Sequence, residues 1–225
     1  MTAQRPVIVL VPGAWHLPST YDLLRAELDK LGYASLAVKL PTNGPAPRGG
    51  LHDDAQSIRA AIVAIGGPVV VVAHSYAGLP VTEGAANLPN VQHLVYVAAY
   101  LPEVGESMYS LHGAPEPETM EELFRLTRDP REQLYHDLPE ELAEQATSQL
   151  VDQRRQPFTD RVTQAAWHTV PSTYILTEND ASLPVEFQNA MAARAKNIRR
   201  IPTAHSPHLA RPAELAALLD EIIRG

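Results

Sequence analysis

The chain of 225 residues contains no cysteine, which excludes disulfide bonds, thiolate metal sites and cysteine nucleophiles. It also lacks an apolar run of about 18 residues, the length that a membrane-spanning helix needs. Its N-terminus has no basic segment followed by an apolar one, so no secretory leader is predicted. We therefore expect a cytoplasmic protein that has no membrane partner.

Clusters of basic residues are also missing. The net charge is −8, and residues 101–150 alone carry twelve carboxylates against three arginines, so the rest of the chain is close to neutral. Because phosphate contacts need clustered Lys and Arg, no nucleic-acid partner is expected. The acidic stretch is typical of a solvated helical surface. The length suits one domain that spans residues 1–225.

Short β-rich runs alternate with helical patterns along the chain. Strands are predicted near residues 7–11, 35–40, 69–73, 91–99, 172–177 and 198–202, and helices over 19–31, 51–65, 76–87, 184–195 and 212–223. This alternation predicts an α/β fold, in which a mostly parallel sheet of about six strands has helices on both faces. In such sheets, functional residues collect at the carboxyl ends of the strands.

The alternation is interrupted between residues 100 and 170, which carry helical patterns and no convincing strand. Helices are predicted over 117–127, 137–151 and 159–167. The second is the best supported, because Asp137, Pro139 and Glu140 stand at the positions typical of a helix start. We interpret residues 100–170 as a helical insertion, called the cap below, that lies over the site and influences specificity.

The candidate nucleophile is Ser75, which follows four valines and then Ala73 and His74. The valine run predicts a strand that is buried on both faces. Because a helical segment follows without a linker, Ser75 is predicted in a tight strand-to-helix turn at the carboxyl edge of the sheet. The helix start behind it offers unpaired N–H groups to a developing negative charge.

A serine hydroxyl needs a base that accepts its proton and a carboxylate that orients this base. His205 and His208 follow the last predicted strand, and Asp180 follows the strand before it. The two histidines are three residues apart, but no third ligand is evident, so no metal site is predicted. Two further carboxylates stay open as the acid: Glu178 and Glu103.

Stabilisation of an oxyanion needs two N–H groups, one from the residue after the nucleophile and one from the loop after the first strand. Tyr76 supplies the first. Ala14 is placed to supply the second, because the preceding Gly13 permits an unusual backbone turn.

Three separated blocks, residues 9–15, 73–78 and 177–212, resemble the α/β-hydrolase superfamily. The resemblance is specifically to its small cofactor-free branch of plant methyl esterases, hydroxynitrile lyases and related bacterial esterases. It implies an α/β-hydrolase fold with a helical cap, no cofactor and no metal. The family's chain order of serine, acid and histidine matches Ser75, Asp180 and His205.

Details of the resemblance refine these assignments. The family usually has a histidine where this chain has Pro12, and glycines where it has Ala73 and Ala77. Both alanines are small, so the turn is expected to tolerate them. The spacing from the histidine to Pro212 matches the family and favours His205 over His208, with exchanged roles left open.

The resemblance also bears on the reaction. Family lyases carry a threonine in the oxyanion loop and a lysine after the catalytic histidine, where this chain has Gly13 and Ser206. Without the lysine, a departing cyanide has no evident partner. We therefore predict a serine hydrolase, a monomer or homodimer, that cleaves carboxylic esters of small apolar molecules through an acyl-enzyme. A cofactor-free lyase of the hydroxynitrile lyase type and a non-catalytic ligand-binding protein are the alternatives. The candidate substrate-binding residues are Trp15, His74, Met108, Tyr109, Phe124 and His208.

Overall fold

A six-stranded parallel sheet forms the centre of the computed structural model, which describes residues 5–117 and 122–225. Its strands are β1 (Val7–Val11), β2 (Ser35–Ala37), β3 (Val69–His74), β4 (Val91–Val97), β5 (Ser172–Thr177) and β6 (Asn197–Ile201). The order across the sheet is β2-β1-β3-β4-β5-β6, and all neighbouring strands run parallel. The predicted α/β architecture is confirmed, although β2 is shorter than expected.

Ten α-helices connect or flank these strands in the described part of the chain. Those outside the cap are α1 (Asp22–Lys30), α2 (Leu51–Ile65), α3 (Gly78–Gly84), α8 (Val185–Ala192), α9 (Pro207–Ala210) and α10 (Pro212–Arg224). Those within the cap are α4 (Met108–Leu111), α5 (Pro130–Leu134), α6 (Glu140–Ser148) and α7 (Gln156–Thr159). Single 3₁₀ turns cover Pro18–Tyr21, Ser75–Ala77 and Ala166–His168. No helix of residues 5–117 and 122–225 has both the length and the apolar character needed to cross a membrane.

The valine run owes its lack of polar alternation to burial on both faces of the sheet. Every residue of β3 is buried, and so is every residue of β5. Val69 and Val71 pack with residues of α2 and α3, whereas Val70 and Val72 pack with residues of α1 and α10. Because burial of one such side chain stabilises the fold by about 1.5–3 kcal/mol, this strand is firmly held and gives Ser75 a rigid base.

The cap differs from its prediction in two segments. Of the helix predicted over 117–127, residues 118–121 lie outside the described residues, and residues 122–127 are not helical. Leu123 instead forms an antiparallel bridge with Arg154, and the Phe124 N–H donates to the Gln153 carbonyl (2.7 Å). The segment is extended because its backbone pairs with another part of the cap rather than with itself.

The helix predicted over 159–167 is also wrong. Helix α7 ends at Thr159, and residues 160–165 form no helix before the 3₁₀ turn at Ala166–His168. The carboxylate of Glu83, on α3, accepts hydrogen bonds from the Thr163 N–H and hydroxyl (2.6 Å each) and from the Gln164 N–H (3.2 Å). A side chain of the main domain thus satisfies donors that a helix would have paired internally. The predicted division into one domain and a cap stays a prediction.

Candidate active site

Ser75 lies in a strained turn between β3 and α3. Its φ of 54° is in the left-handed region, which costs a residue other than glycine about 1–3 kcal/mol. The Tyr100 N–H donates to the Ser75 carbonyl (3.2 Å) and helps to hold this conformation. Gly78 lets α3 pass close to the end of β4, because a Cβ there would lie 1.8 Å from the Tyr100 carbonyl oxygen. The turn therefore has the geometry of a nucleophile elbow.

Asp180 and His205 form a buried pair beyond the carboxyl ends of β5 and β6. Asp180 Oδ2 lies 2.7 Å from His205 Nδ1, and both side chains are almost fully buried. Burial by itself raises the pKa of Asp180, but the attraction and hydrogen bond of His205 and further donors outweigh it and hold this pKa below its usual value. The carboxylate is therefore ionised at neutral pH, and His205 Nδ1 must carry the hydrogen that it donates. His205 Nε2 is left as an acceptor.

Neither of the other candidate acids contacts His205. The side chain of Glu178 is 41% exposed and pairs with Arg200, and that of Glu103 is 42% exposed and pairs with His168. The structure therefore places Asp180, and not these two glutamates, beside the histidine. Ser75 Oγ makes no hydrogen bond within the described residues. In free enzymes the bond between serine and base is often long, and it tightens when substrate binds.

The loop after β1 presents a free N–H group to the same place. The Gly13 carbonyl accepts from the His16 N–H and from Asn43 Nδ2 (3.4 Å each). Because a trans peptide is planar, the Ala14 N–H points to the side opposite that carbonyl. In the described part of the chain this N–H has no hydrogen-bond partner, and Ala14 lines a cavity together with Ser75 and Tyr76.

This cavity has a volume of about 160 Å³ and an aromatic wall. Of the candidate substrate-binding residues, Trp15, Met108 and Phe124 line it. Trp15 stacks on Phe124 at 5.6 Å between ring centroids, and Phe158 packs against Phe124. Besides Phe158, five further wall residues lie outside the list of candidate substrate-binding residues: Tyr100, His112, Gln133, Ser182 and Leu183. Position relative to Asp180 and to the end of β4 could have identified Ser182, Leu183 and Tyr100, but nothing in the sequence marks the other two.

The other three candidate substrate-binding residues, His74, Tyr109 and His208, do not line this cavity. His74 and His208 are almost fully buried behind the wall, where His74 Nε2 donates to the His205 carbonyl (2.8 Å). The Tyr109 hydroxyl instead accepts a hydrogen bond from Arg155 (3.1 Å).

The rings of four histidines form a cluster. The rings of His16, His74 and His208 lie close to one another, and the ring centroid of His205 lies 4.8 Å from the ring centroid of His74. Burial lowers the pKa of His16 to about 4 and the pKa values of His74 and His208 well below the usual range. These three rings are therefore neutral at neutral pH. Of the four clustered histidines, only His205 has a carboxylate partner within the described residues. Among the described residues, no group of three or more His, Asp or Glu is arranged to hold a metal ion.

Comparison with known proteins shows the family and the fold of this chain. The sequence model of the "Alpha/beta hydrolase family" matches residues 8–218. The alpha/beta hydrolase nvfD of Aspergillus novofumigatus is 34% identical over 92% of this chain and 92% of its own length. The crystal structure of a pyrethroid hydrolase from Sphingobium faniae superposes with a TM-score of 0.83 at 20% identity, covering 99% of this chain and 98% of that one. Polyneuridine aldehyde esterase superposes with a TM-score of 0.81 at 19% identity, covering 97% of this chain and 99% of its own.

The two structural similarities are below 25% identity and support the fold. The match of the family model over most of the chain and the 34% identity to a full-length relative support membership. The chain therefore belongs to the alpha/beta hydrolase family, as its three motif blocks predict.

Proposed function

We propose that this protein hydrolyses carboxylic esters of small apolar molecules, with Ser75 as the nucleophile, His205 as the base and Asp180 as the residue that orients His205. The observation that carries the proposal is the buried 2.7 Å bond between Asp180 and His205, whose carbonyl accepts a hydrogen bond (2.8 Å) from His74, the residue directly before Ser75. The bond prepares Nε2 of His205 to accept a proton, and the turn presents the hydroxyl that supplies it.

The reaction then proceeds in two halves. Ser75 Oγ attacks the acyl carbon while His205 Nε2 accepts the hydroxyl proton, and the N–H groups of Ala14 and Tyr76 stabilise the oxyanion. His205 returns the proton to the leaving alcohol, which departs and leaves an acyl-enzyme on Ser75. Water then attacks the acyl-enzyme with the same base, which releases the acid and restores the serine.

The cavity supports an apolar substrate of limited size. Its volume of about 160 Å³ is close to that of an apolar protein cavity known to hold one benzene ring. No Lys or Arg of the described residues lines it, so no cation there favours a substrate that bears a carboxylate or phosphate. The names of two structural neighbours, a pyrethroid hydrolase and polyneuridine aldehyde esterase, point to hydrolysis of esters. The cytoplasmic location and the monomeric or dimeric state stay predictions.

The residues that set the lyase branch apart favour hydrolysis here. The position after His205 is Ser206, a fully buried neutral side chain, and the oxyanion loop has Gly13 where those lyases have threonine. The site therefore lacks the cation that stabilises a departing cyanide. A ligand-binding protein without activity needs neither an ionised Asp180 nor a prepared His205, so the buried pair speaks against it.

The test is hydrolysis of a nitrophenyl ester series by the native protein and Ser75→Ala. We expect Ser75→Ala to bind substrate but to lose turnover by several orders of magnitude, whereas the control Ser57→Ala, on the exposed face of α2, keeps the native rate. Native turnover by Ser75→Ala refutes the proposal. A melting shift on binding with no product from the native protein favours the ligand-binding alternative.

A further inference from the structure

One residue, His16, holds both peptide groups that flank Ala14. Its N–H closes the turn on the Gly13 carbonyl (3.4 Å), and its ring Nδ1 lies 2.6 Å from the Ala14 carbonyl oxygen. Because a carbonyl only accepts, Nδ1 carries the ring hydrogen. Trp15, which lies between Ala14 and His16 in the chain, has a φ of 64°. A bulky residue rarely adopts this conformation without such support.

The cap contacts His16 directly. The hydroxyl of Tyr135, at the end of α5, lies 2.6 Å from His16 Nε2. With its hydrogen on Nδ1, the ring presents a lone pair at Nε2, so the tyrosine must donate. Burial keeps the pKa of His16 at about 4 and raises the pKa of Tyr135 above its usual range, so neither group changes its proton near neutral pH. Both side chains are almost fully buried.

We propose that His16 and Tyr135 are positioning residues of the oxyanion hole, through which the cap holds the Ala14 N–H toward the acyl oxygen. Tyr135 donates to His16, and His16 donates to the Ala14 carbonyl. The inference rests on the proposed function, because it assigns a purpose to the Ala14 N–H only if an oxyanion forms beside Ser75.

Other cap contacts end on Trp15 rather than on Ala14. The Trp15 N–H donates to Gln153 Oε1 (3.4 Å), its carbonyl accepts from the Val151 N–H (2.9 Å), and its indole donates to the Phe124 carbonyl (2.7 Å). Within the described residues, the path through Tyr135 and His16 is thus the one that joins the cap to the carbonyl of Ala14. With that carbonyl released, the Ala14–Trp15 peptide keeps the longer hydrogen bond from the Trp15 N–H to Gln153 (3.4 Å), so the peptide rotates more easily and Trp15 is less firmly held in its strained conformation.

The first test is Tyr135→Phe, measured by ester hydrolysis and by inhibition with a boronic acid, which forms a tetrahedral adduct on serine. Removal of a whole oxyanion donor lowers kcat by about 10²–10³, and Tyr135 acts one step away, so we expect a loss of about tenfold in kcat. KM should stay within about twofold, and the inhibition constant of the boronic acid should rise about tenfold, because the N–H stabilises the tetrahedral state. Tyr96→Phe is the matched control, since it removes another buried hydroxyl, bonded to Thr82, away from the loop. Tyr96→Phe should change neither kcat nor the inhibition constant of the boronic acid.

Variants of His16 separate positioning from packing. His16→Leu removes the donor to Ala14 and should lower kcat about 100-fold. His16→Asn keeps an N–H at the place of Nδ1, so its kcat should recover to about the value of Tyr135→Phe. The tyrosine acts only through the ring, so adding Tyr135→Phe to His16→Asn should produce no further loss.

Native kcat and native boronic acid inhibition in folded Tyr135→Phe would overturn the inference, and so would full additivity with His16→Asn. If Tyr135→Phe does not fold, His16→Asn and His16→Leu decide, because equal activities in these two contradict a role for the donor to Ala14. Ser75→Ala distinguishes the levels of failure. Native turnover by Ser75→Ala removes the proposed function itself, whereas an inactive Ser75→Ala beside a fully active Tyr135→Phe removes only this inference.

Discussion

Replacing Asp180 by asparagine should disable His205 without moving it. Asp180 Oδ1 accepts the N–H groups of Ser182 (2.7 Å) and Leu183 (2.9 Å), so the amide oxygen of the variant would keep that side. The new NH₂ group would then occupy the place of Oδ2, which accepts from His205, Thr177 and Gln188. An NH₂ group only donates, so His205 Nδ1 must become an acceptor and the ring hydrogen must move to Nε2. Nε2 could then no longer take the proton of the serine.

The size of the effect follows from this change of tautomer. The same substitution in a serine protease triad, a known reference case, lowers kcat about 10⁴-fold, which corresponds to about 5.4 kcal/mol of transition-state stabilisation. We expect a loss of that order in kcat for Asp180→Asn, with little change in KM because Asp180 does not line the cavity. Steady-state hydrolysis of a nitrophenyl ester measures both constants.

Glu178→Gln is the matched control for Asp180→Asn, because it makes the same chemical change at a half-exposed neighbour that pairs with Arg200. It should keep native kcat. The thermal unfolding of both variants shows whether the folded state survives. A folded Asp180→Asn with kcat within tenfold of the native value would refute the reasoning, and a large loss in Glu178→Gln alone would identify the other carboxylate as the acid.

Two further predictions concern Gly13, in the loop after β1, and the buried carboxylate of Asp54. In Gly13→Ala, the new Cβ would lie 3.0 Å from His74 Nδ1 and 3.1 Å from Ser75 Cβ, so the loop must shift. A displacement of about 1 Å can cost about 100-fold in rate. The shift needed here is only a few tenths of an ångström, so we expect a smaller loss of about tenfold in kcat, and native kcat in this variant would contradict the loop's role. Burial raises the pKa of Asp54 to about 6, despite hydrogen bonds from Thr42 and Tyr76. Folding raises this pKa from an unfolded value near 4, so protonated Asp54 contributes stability that is fully present below about pH 4. This contribution to the free energy of unfolding, about 3 kcal/mol for a shift of about two units, is lost as the pH rises through 6. Urea unfolding at pH 5 and 8 should show about half of this loss, about 1.4 kcal/mol, in the native protein but not in Asp54→Asn, because the rest is already lost at pH 5. An identical pH dependence of the two would contradict the assignment.

The sheet and the residues at its carboxyl edge could be predicted because local patterns carry them. Four valines in a row need burial on both faces, and that requirement placed Ser75 at the end of a central strand. Asp180 and His205 each follow a strand directly, so the parallel topology alone brings them near one another at the same edge. Proximity to the strand ends could not choose between Asp180 and Glu178, which needed the side-chain directions.

The cap could not be predicted at the same level, because distant partners determine its backbone. Residues 122–127 have a helical composition, but their backbone pairs with the segment around Arg154. The backbone N–H of Thr163 donates to the carboxylate of Glu83, which lies on α3. The cavity wall shows the same limit. Gln133 and His112 reach it from different parts of the cap, and nothing in the residues around them marks that meeting point. The bond between His16 and Tyr135 also joins residues far apart in the chain.

The central claim is that an acyl group is carried by Ser75, and the most direct measurement is mass spectrometry of the protein quenched during turnover of a nitrophenyl acetate. We expect the native protein to gain the mass of one acetyl group, and peptide analysis to place it on Ser75, with no gain in Ser75→Ala. Turnover without any adduct on a rapidly quenched timescale, or an acetyl group on another residue that is required for activity, would contradict the account.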